Sequence, residues 1–388
     1  MPNLVDIVEI AQALEDKAVY VASERCVAVR NRHATCKKCV DACLAHAVSV
    51  RDNVLSIDHQ ACVGCGACTA VCPVEALIPL RPLDADLIAH AQAATAALDG
   101  AQAVFACARI ASRGDGDPHK FTEVPCLGRM EESALLQLAA EGASDIVLVD
   151  GTCATCKYRA TSPGVDATVA SANALMEAMG AAPRVRRAQQ FPDAALLQDR
   201  ASLLGESRRG FFRGARTFAK DAAVKSAEVM VLKDSANQVA RTLRDRLKAT
   251  DAGTLPQFEP ERRMRTLDAM DVLGAPTAPE LDTRLFGSVS IDADACNACG
   301  MCTVFCPTGA LKKSEIEPEP GGDAGSYLEF SAADCVQCNL CADACLKQCL
   351  TVEPRVPTAE VFDFEPRLIA LPAAPARPGI LSTFRGKR

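Results

Sequence analysis

Apolar residues between positions 101 and 181 follow the pattern of an α/β domain. Residues 101–108 predict an apolar strand and residues 121–126 a second one, and the short continuous apolar run within 144–151 predicts a buried strand. Residues 132–142 place Leu135 and Leu138 on one face of a helix, and residues 166–180 predict a second helix. Because strands alternate with helices, we expect a parallel sheet in this part of the chain.

A longer stretch, residues 193–250, contains no proline and predicts mainly helical structure. Its last part has apolar residues at helical spacing: Ala236, Val239, Ala240, Leu243 and Leu247. We interpret this stretch as an amphipathic bracket that packs on the rest of the protein, in preference to a helix on a membrane surface. The proline-rich residues 251–285 predict a linker, and residues 354–388 predict an extended tail.

The composition argues against several classes of protein. The chain has 388 residues, of which 49% are hydrophobic, so it can bury the cores of several domains. A net charge of −7 argues against a general nucleic-acid binder, which would present a basic face. No stretch reaches the roughly 18 apolar residues of a membrane span, and the N-terminal residues lack the apolar run of a secretory signal. We therefore expect a protein of the reduced cytoplasm.

The 21 cysteines are the most informative feature of the composition. The spacing C-x2-C-x2-C-x3-C occurs three times, at Cys62, Cys65, Cys68 and Cys72, at Cys296, Cys299, Cys302 and Cys306, and at Cys335, Cys338, Cys341 and Cys345. Three thiolates so spaced surround one iron–sulfur cage from a single loop, while the fourth reaches a neighbouring cluster. Structural zinc sites use paired C-x2-C knuckles instead. The spacing therefore predicts 4Fe–4S clusters.

These motifs resemble those of bacterial two-cluster ferredoxins, over residues 20–82 and 286–353. The resemblance implies crossed ligation in the C-terminal module. One cluster then takes Cys296, Cys299, Cys302 and Cys345, and the other takes Cys335, Cys338, Cys341 and Cys306. Cys345 is followed by Leu346, where the family has proline, and we expect this difference to alter the local turn and not the ligation.

The first motif of the N-terminal module departs from the family pattern. It reads His33-x2-Cys36-x2-Cys39-x3-Cys43, with histidine at the position of the usual first ligand. Either Cys26, brought back by a loop, or His33 would complete this site, and we favour Cys26 because thiolate is the usual ligand. One cluster then takes Cys26, Cys36, Cys39 and Cys72, and the other takes Cys62, Cys65, Cys68 and Cys43. A three-iron cluster is the remaining alternative.

Four more cysteines, Cys107, Cys126, Cys153 and Cys156, each follow a predicted strand. Since the carboxyl ends of parallel strands meet at one edge of a sheet, we expect the four thiols to converge there and to suit one 2Fe–2S cluster.

The surrounding sequence, CLGRM at 126–130 and GASDIVLVDGTCATCKY at 142–158, resembles the iron–sulfur delta subunit that links methanogen hydrogenases to heterodisulfide reductase. That family has an extra cysteine beside the first one, where this chain has Ile110, and a longer loop between its last two cysteines. A zinc knuckle or a redox disulfide at Cys153 and Cys156 is therefore an open alternative to the 2Fe–2S cluster.

Together these patterns predict an α+β multidomain chain in which two dicluster ferredoxin-like modules flank an α/β parallel-sheet domain and a helical linker. The predicted boundaries are 1–19 for an N-terminal helix, 20–90 for the first module, 95–185 for the delta-subunit-like domain, 190–285 for the helical bracket and linker, 286–353 for the second module and 354–388 for the tail. Two features of the sequence lie outside the predicted sites. Cys349 is surplus to the predicted ligand sets, and we expect it to be a buried small hydrophobic residue. Residues 207–212, Ser-Arg-Arg-Gly-Phe-Phe, resemble a twin-arginine export motif, but no apolar segment follows, so we interpret them as the basic start of a helix.

The predicted clusters favour an electron-transfer protein or subunit that relays single electrons to or from a partner oxidoreductase. The delta-subunit resemblance implies a dehydrogenase, hydrogenase or heterodisulfide-reductase-type partner. The multi-cluster layout is similar to that of proteins accompanying molybdenum- or tungsten-dependent formate dehydrogenases. A cytoplasmic polyferredoxin-like maturation factor for a molybdoenzyme is an alternative from a different class. No dinucleotide fingerprint, P-loop or Ser/His/Asp grouping is evident, so we expect no catalysis by the chain alone.

Overall fold

The computed structural model describes residues 17–198, 247–250, 253–318 and 324–373 of the chain. The chain divides into two compact units. The first comprises Met1–Arg30, Lys37–Lys248 and Pro260–Ala278, and the second comprises Asn31–Cys36, Ala249–Glu259 and Pro279–Arg388. Most of the N-terminal cysteine module therefore shares a unit with the central domain, while the C-terminal module belongs to the second unit.

The N-terminal module is built from four short strands and three one-turn helices. The strands are β1 (Val19–Val21), β2 (Val48–Arg51), β3 (Val54–Ile57) and β4 (Leu77–Pro79). The helices are α1 (Val27–Arg30), α2 (Lys38–Asp41) and α3 (Ala67–Ala70). Strand β1 pairs antiparallel with β4, and β2 with β3. The turn residues Asp52 and Asn53 both have positive φ, which a two-residue hairpin turn requires.

The central domain contains the parallel sheet that the sequence predicts. Its strands are β5 (Gln102–Cys107), β6 (Thr122–Val124), β7 (Asp145–Val149) and β8 (Val185–Ala188), arranged in the order β6-β5-β7-β8 and all parallel. Its helices are α4 (Asp84–Ala96), α5 (Ala108–Ala111), α6 (Glu132–Ala140) and α7 (Ser162–Ala178). Ala106, Val147 and Leu148 are fully buried, as expected for the middle of a parallel sheet.

Strand β8 has no counterpart among the sequence predictions. Its sequence, Val-Arg-Arg-Ala, lacks the apolar run that β5 and β7 contain. Arg186 Nε donates to Asp145 Oδ1 at 2.8 Å, and Arg187 Nε donates to Asp150 Oδ2 at 2.8 Å. These ion pairs, made with residues in or directly after β7, stabilise a charged strand at the edge of the sheet.

Residues 261–273, predicted as part of a proline-rich linker, instead form helix α8 (Glu261–Leu273). Its buried face combines Arg262 and Arg263 in the first turn with Leu267, Ala269 and Met270 further along, so the apolar positions do not extend over the whole helix. Arg262 Nε donates to Asp84 Oδ2 at 3.0 Å, and Arg262 Nη1 donates to the carbonyl of Thr69 at 2.7 Å. Ion pairing and hydrogen bonding therefore anchor the buried face of this helix.

The C-terminal module repeats the strand plan of the N-terminal module. Its strands are β9 (Glu280–Asp282), β10 (Ser288–Ile291), β11 (Leu311–Lys313), β12 (Ser326–Phe330) and β13 (Leu350–Glu353). Its short helices are α9 (Met301–Phe305) and α10 (Leu340–Asp343). Strand β10 pairs antiparallel with β13, and β11 with β12. The strands before the first motif and after the second motif therefore pair in both modules.

Residues 355–371, predicted as part of an extended tail, instead contain further elements. These are β14 (Arg355–Pro357), α11 (Thr358–Phe362) and β15 (Arg367–Leu371). Strand β14 pairs with β9, and β15 pairs with β12. Val356, Val361 and Leu371 are buried, and the burial of these apolar side chains stabilises the folded segment.

Several predictions fall outside the described residues. They concern the N-terminal helix up to residue 16, the twin-arginine-like segment 207–212, the apolar stripe from 236 to 246 and the tail beyond residue 373. Among the helices in the described ranges, none combines the length and the apolar character that crossing a membrane requires.

Candidate metal centres

Four cysteines of the N-terminal module line one cavity: Cys43, Cys62, Cys65 and Cys68. Cys43 belongs to the first motif and the other three belong to the second, which is the crossed combination that the resemblance to two-cluster ferredoxins implies. Val19, Val48 and Ile57 form part of the remaining wall, and the cavity has about 350 Å³ of empty space, including the part that is open to solvent. An iron–sulfur cage needs four converging thiolates, and an apolar wall limits the access of water to it.

The C-terminal module contains the matching cavity, lined by Cys306, Cys335, Cys338 and Cys341. Here too one cysteine belongs to the first motif and three belong to the second. Val289, Leu311 and Phe330 contribute apolar walls, and the empty space is about 330 Å³. The two modules therefore place equivalent cysteines around equivalent cavities.

Backbone conformation distinguishes the three regular motifs from the first N-terminal one. In each regular motif, the residues on either side of the second cysteine have positive φ: Gly64 and Gly66, Ala298 and Gly300, and Gln337 and Asn339. A short helix begins directly after each of these pairs. Thr35 and Lys37, the corresponding residues on either side of Cys36 in the first N-terminal motif, are not in this conformation. Positive φ costs an ordinary residue about 1–2 kcal/mol, so its recurrence at Ala298 and Gln337 indicates that the site requires this loop path.

Burial strongly raises the pKa of several thiols in these motifs. Burial raises the pKa of Cys68 to about 12 and that of Cys302 to about 12, and neighbouring thiols of the same motif add to each shift. Burial raises the pKa of Cys341 well above the ordinary value. Without a metal these thiols therefore stay protonated at neutral pH. An incoming metal must displace the protons, which makes binding pH-dependent.

Backbone N–H groups are also directed at the sulfur atoms. The Ala47 N–H donates to Cys43 Sγ at 3.2 Å, and the Ala76 N–H donates to Cys72 Sγ at 3.3 Å. In both motifs the donor lies four residues after the last cysteine. Such hydrogen bonds orient a ligand and stabilise its negative charge, so these residues fit an iron–sulfur cluster.

The structure separates the two candidates for the remaining N-terminal ligand by their exposure. Cys26 is 7% exposed and lies directly before α1. The His33 side chain is exposed, and its Nε2 accepts a hydrogen bond from Arg32 Nε at 3.2 Å. The burial of Cys26 favours it as the ligand over His33, and the assignment stays a prediction.

The other three cysteines of that predicted set are placed as follows. Cys39 is buried in α2, and Cys72 is partly buried directly before Pro73. Cys36 belongs to the second unit, in a segment where the Thr35 N–H donates to Asp343 Oδ2 at 2.7 Å. The convergence of Cys26, Cys36, Cys39 and Cys72 on one cluster also stays a prediction.

The second cluster predicted for the C-terminal module has an additional cysteine beside it. Its predicted ligands are Cys296, Cys299, Cys302 and Cys345. Cys349 is buried, as expected, but its Sγ lies 3.4 Å from Cys345 Sγ. Burial raises the pKa of Cys349 to about 12, with further contributions from Cys345 and Cys296. Cys349 therefore contacts a predicted ligand, in addition to filling the core.

The central cysteines also line one cavity: Cys107, Cys126, Cys153 and Cys156. Cys107 ends β5, and the others lie in the loops after β6 and β7. This cavity has about 1070 Å³ of open space, and its wall includes Arg109 and Lys157. Within the described ranges, no three His, Cys, Asp or Glu side chains lie close enough for a single metal ion, here or in the terminal motifs.

Charged groups fix the loop after β7. Cys153 Sγ donates to Asp150 Oδ2 at 3.4 Å, and Asp150 is also ion-paired with Arg187. Burial raises the pKa of Cys153 to about 12, and the nearby Asp150 carboxylate adds to the shift. Arg109 Nη2 donates to Thr155 Oγ1 at 2.9 Å, between the two cysteines of this loop. The central site is thus more polar and more open than the terminal cavities.

Arg129 is a residue near the sites that motif spacing does not identify. Its side chain is 1% exposed and is among the largest fully buried side chains of the described residues. It follows Cys126 in the CLGRM segment and packs against Gly66, beside Cys65. The resemblance of CLGRM to a known family was the only sequence signal for this position.

The family comparison covers both ends of the chain. A family model described as a 4Fe-4S dicluster domain matches residues 34–76 and residues 295–349. These ranges contain every cysteine of the four motifs, whereas Cys26 precedes the first range. The chain therefore carries 4Fe–4S dicluster domains at both ends, which confirms the prediction of 4Fe–4S clusters and ferredoxin modules.

Similar proteins include the B-type subunit of an ion-translocating oxidoreductase complex from Methanosarcina acetivorans, 45% identical over 42 residues, which are 11% of this chain and 16% of the relative. A ferredoxin from Mycolicibacterium smegmatis is 40% identical over 58 residues, 15% of this chain and 50% of the relative. The chain thus spans half or less of these two relatives. No solved structure matches it. A 7Fe ferredoxin from Hydrogenibacillus schlegelii is 34% identical over 58 residues, and the match covers 68% of that protein. Through its dicluster domains, the chain belongs to the ferredoxin family.

Proposed function

We propose that the chain is a multi-cluster electron-transfer protein, or a subunit of a larger complex, that exchanges single electrons with a partner oxidoreductase. The observation that carries this proposal is the pair of cavities, each lined by four cysteines drawn from two motifs. Iron–sulfur clusters supply one-electron redox chemistry when bound. The ferredoxin relatives and the dicluster domains support the same role.

Four 4Fe–4S clusters would be held by sixteen cysteines. The proposed ligand sets are Cys26, Cys36, Cys39 and Cys72; Cys43, Cys62, Cys65 and Cys68; Cys296, Cys299, Cys302 and Cys345; and Cys306, Cys335, Cys338 and Cys341. The thiols provide the iron ligands, the apolar walls limit water access, and backbone N–H groups stabilise negative charge on sulfur. The 7Fe ferredoxin keeps the three-iron alternative open for the irregular first motif, because seven irons are one fewer than two 4Fe–4S clusters contain.

The central cysteines are proposed to hold a 2Fe–2S cluster. The support is the convergence of Cys107, Cys126, Cys153 and Cys156 on one cavity. Arg109 fixes the loop of Cys153 and Cys156, and the Asp150–Arg187 pair adds fixed charge beside the site. Zinc and a dithiol of Cys153 and Cys156 are the competing occupants, and metal analysis separates them.

The partner is proposed from resemblance. The relative that belongs to an oxidoreductase complex supports a redox partner. The resemblance of the central domain favours a dehydrogenase, hydrogenase or heterodisulfide-reductase-type enzyme, and the multi-cluster layout favours a formate dehydrogenase. A role in assembling a molybdoenzyme is the second candidate, motivated by the twin-arginine-like residues 207–212.

Iron and sulfide analysis, with EPR on anaerobically purified full-length protein, tests the cofactor content. We expect about 18 iron atoms per chain, from four 4Fe–4S clusters and one 2Fe–2S cluster. Folded, iron-free protein carrying zinc would overturn the proposal.

Affinity purification from the native host separates the two functions. An electron carrier should co-purify with the mature, active oxidoreductase and should be reduced during turnover. A maturation factor should bind the apo-enzyme and be absent from the mature complex.

A further inference from the structure

A buried arginine lies against one loop of the N-terminal cavity. A Cβ atom built on Gly66 would lie 2.5 Å from Arg129 Cδ and 2.9 Å from Arg129 Cβ. Gly66 itself lines the cavity, together with Cys65 and Cys68. The Arg129 side chain therefore packs against the backbone of a residue that lines this cavity.

The same arginine belongs to the segment that carries the central site. It lies three residues after Cys126, in a turn that packs against α3 of the N-terminal module: a Cβ on Gly128 would be 3.5 Å from Ala67 Cβ. Arg129 thus lies where the segment after Cys126 packs against the loop and helix that carry Cys65 and Cys68.

The guanidinium of Arg129 is only partly satisfied. Its Nη2 is paired with Asp84, while its buried Nε and Nη1 have no hydrogen-bond partner among the described residues. An arginine stays protonated at neutral pH, so a full positive charge is held inside the protein. A buried charge without full compensation is costly and is rarely retained for stability alone.

A small ionic network surrounds this charge. Asp84 also accepts from Arg262 Nε at 3.0 Å, and the backbone N–H of Arg262 donates to Glu75 at 2.9 Å. Arg265 lies 3.9 Å from Glu131. Loss of Arg129 therefore removes one positive charge from this network, and loss of the Asp84 charge removes one negative charge.

We propose that Arg129 is a positioning residue whose buried charge raises the reduction potential of the cluster held by Cys43, Cys62, Cys65 and Cys68. Reduction adds negative charge to a cluster, so a nearby cation stabilises the reduced form, and net charge is one of the factors that set these potentials. The inference rests on the proposed electron-transfer function and on this ligand set.

The experiment is a redox titration followed by EPR on full-length protein purified without oxygen. The relevant signal is the one that a Cys65→Ser variant lacks. In Arg129→Met we expect this cluster to be assembled in wild-type amount but to be about tenfold less reduced at a fixed ambient potential, a shift of about 59 mV to more negative values for a one-electron couple. Arg129→Lys keeps the charge and should restore most of the potential.

Two further variants separate electrostatics from structural damage. Arg184 donates to the carbonyls of Ala139 and Ala143 in the same unit, so Arg184→Met removes similar anchoring away from the cysteines and should leave the potential unchanged. Asp84→Asn removes a negative charge from the network and should shift the potential to more positive values, opposite to Arg129→Met.

Each result decides the proposal. An unchanged potential in Arg129→Met with full cluster content overturns it and leaves the electron-transfer function intact. If Arg129→Met fails to fold, the sign of the Asp84→Asn shift decides, and no shift or a negative one overturns the proposal. Absence of the Cys65-dependent signal from the wild-type protein would contradict the proposed function instead.

Discussion

The two terminal modules share a strand plan and a cavity lined by four cysteines, but they differ in what surrounds the cavity. The N-terminal cavity has about 350 Å³ and the C-terminal one about 330 Å³ of empty space, with apolar walls in both. Around them, the N-terminal module has an irregular first motif and packs Gly66 against Arg129 of the central domain. The C-terminal module has two regular motifs and an extra cysteine, Cys349, beside Cys345.

This difference separates what cysteine spacing determines from what the surroundings determine. Spacing fixes the path of the loop, since positive φ recurs beside the second cysteine of each regular motif. Spacing does not determine the charged residues near the site, the presence of an additional cysteine or the segments that pack against it. The modules should therefore resemble each other in cluster type and differ in cluster properties.

The largest expected effect is a loss of iron that tests whether the two terminal cavities are equivalent. Cys65→Ser and Cys338→Ser each remove one of four cavity thiols, so each variant should lose about four of about 18 iron atoms per chain. Iron and sulfide analysis measures the loss. Cys349→Ser is the matched control, because Cys349 is surplus to the predicted ligand sets and its loss should leave the iron content unchanged.

If Cys349→Ser also lost a cluster, Cys349 would be a ligand and the C-terminal assignment would need revision. If Cys65→Ser lost iron and Cys338→Ser did not, the two cavities would not be equivalent.

The second-largest effect is expected at the irregular first motif of the N-terminal module. Cys26→Ala should remove one 4Fe–4S cluster or convert it to a three-iron cluster, because the buried Cys26 thiol is the favoured ligand. His33→Ala should leave this cluster intact, since the histidine side chain is exposed. EPR of the oxidised and reduced protein distinguishes these outcomes. Retention of every signal in Cys26→Ala, with a loss in His33→Ala, would reverse the assignment.

Variants of the central site should lose fewer iron atoms than variants of the terminal modules. Cys126→Ala should remove about two iron atoms and a rhombic EPR signal of a 2Fe–2S cluster, while the 4Fe–4S signals stay. A variant that loses zinc and no iron would identify the central site as a zinc site. Because the turn after Cys126 packs against α3, this variant also tests whether the N-terminal cavity survives a change in the neighbouring segment.

Much of the fold could be predicted from the sequence where apolar burial determines it. Strands β5 and β7 of the central sheet are recognisable because their buried residues, such as Val104 and Val147, lie in apolar segments. Strand β8 and helix α8 were missed because arginines occupy their positions, and these arginines are stabilised by ion pairs with distant residues such as Asp145 and Asp84. Hydrophobic patterns carry no information about such pairs.

As with the fold, part of each candidate site could be predicted from the sequence and part could not. Motif spacing identified the cysteines, and the family resemblance implied the crossed combinations found around both cavities. The contact of Gly66 with Arg129 and the approach of Cys349 to Cys345 depend on how segments pack, so spacing alone does not reveal them.

The smallest expected effect compares one glycine from each module. Gly66 and Gly300 occupy the same motif position with φ of 77° and 72°, so an alanine at either position pays about 1–2 kcal/mol for the left-handed conformation. A Cβ on Gly300 meets only Thr303 Oγ1, at 3.9 Å, whereas a Cβ on Gly66 would clash with Arg129. Overpacking of this kind typically adds about 1–3 kcal/mol. Gly66→Ala should therefore lower the thermal midpoint of the holoprotein more than Gly300→Ala does. Equal decreases in the two variants would mean that the N-terminal loop is not packed against Arg129, and the difference between the modules would then reduce to the irregular motif and Cys349.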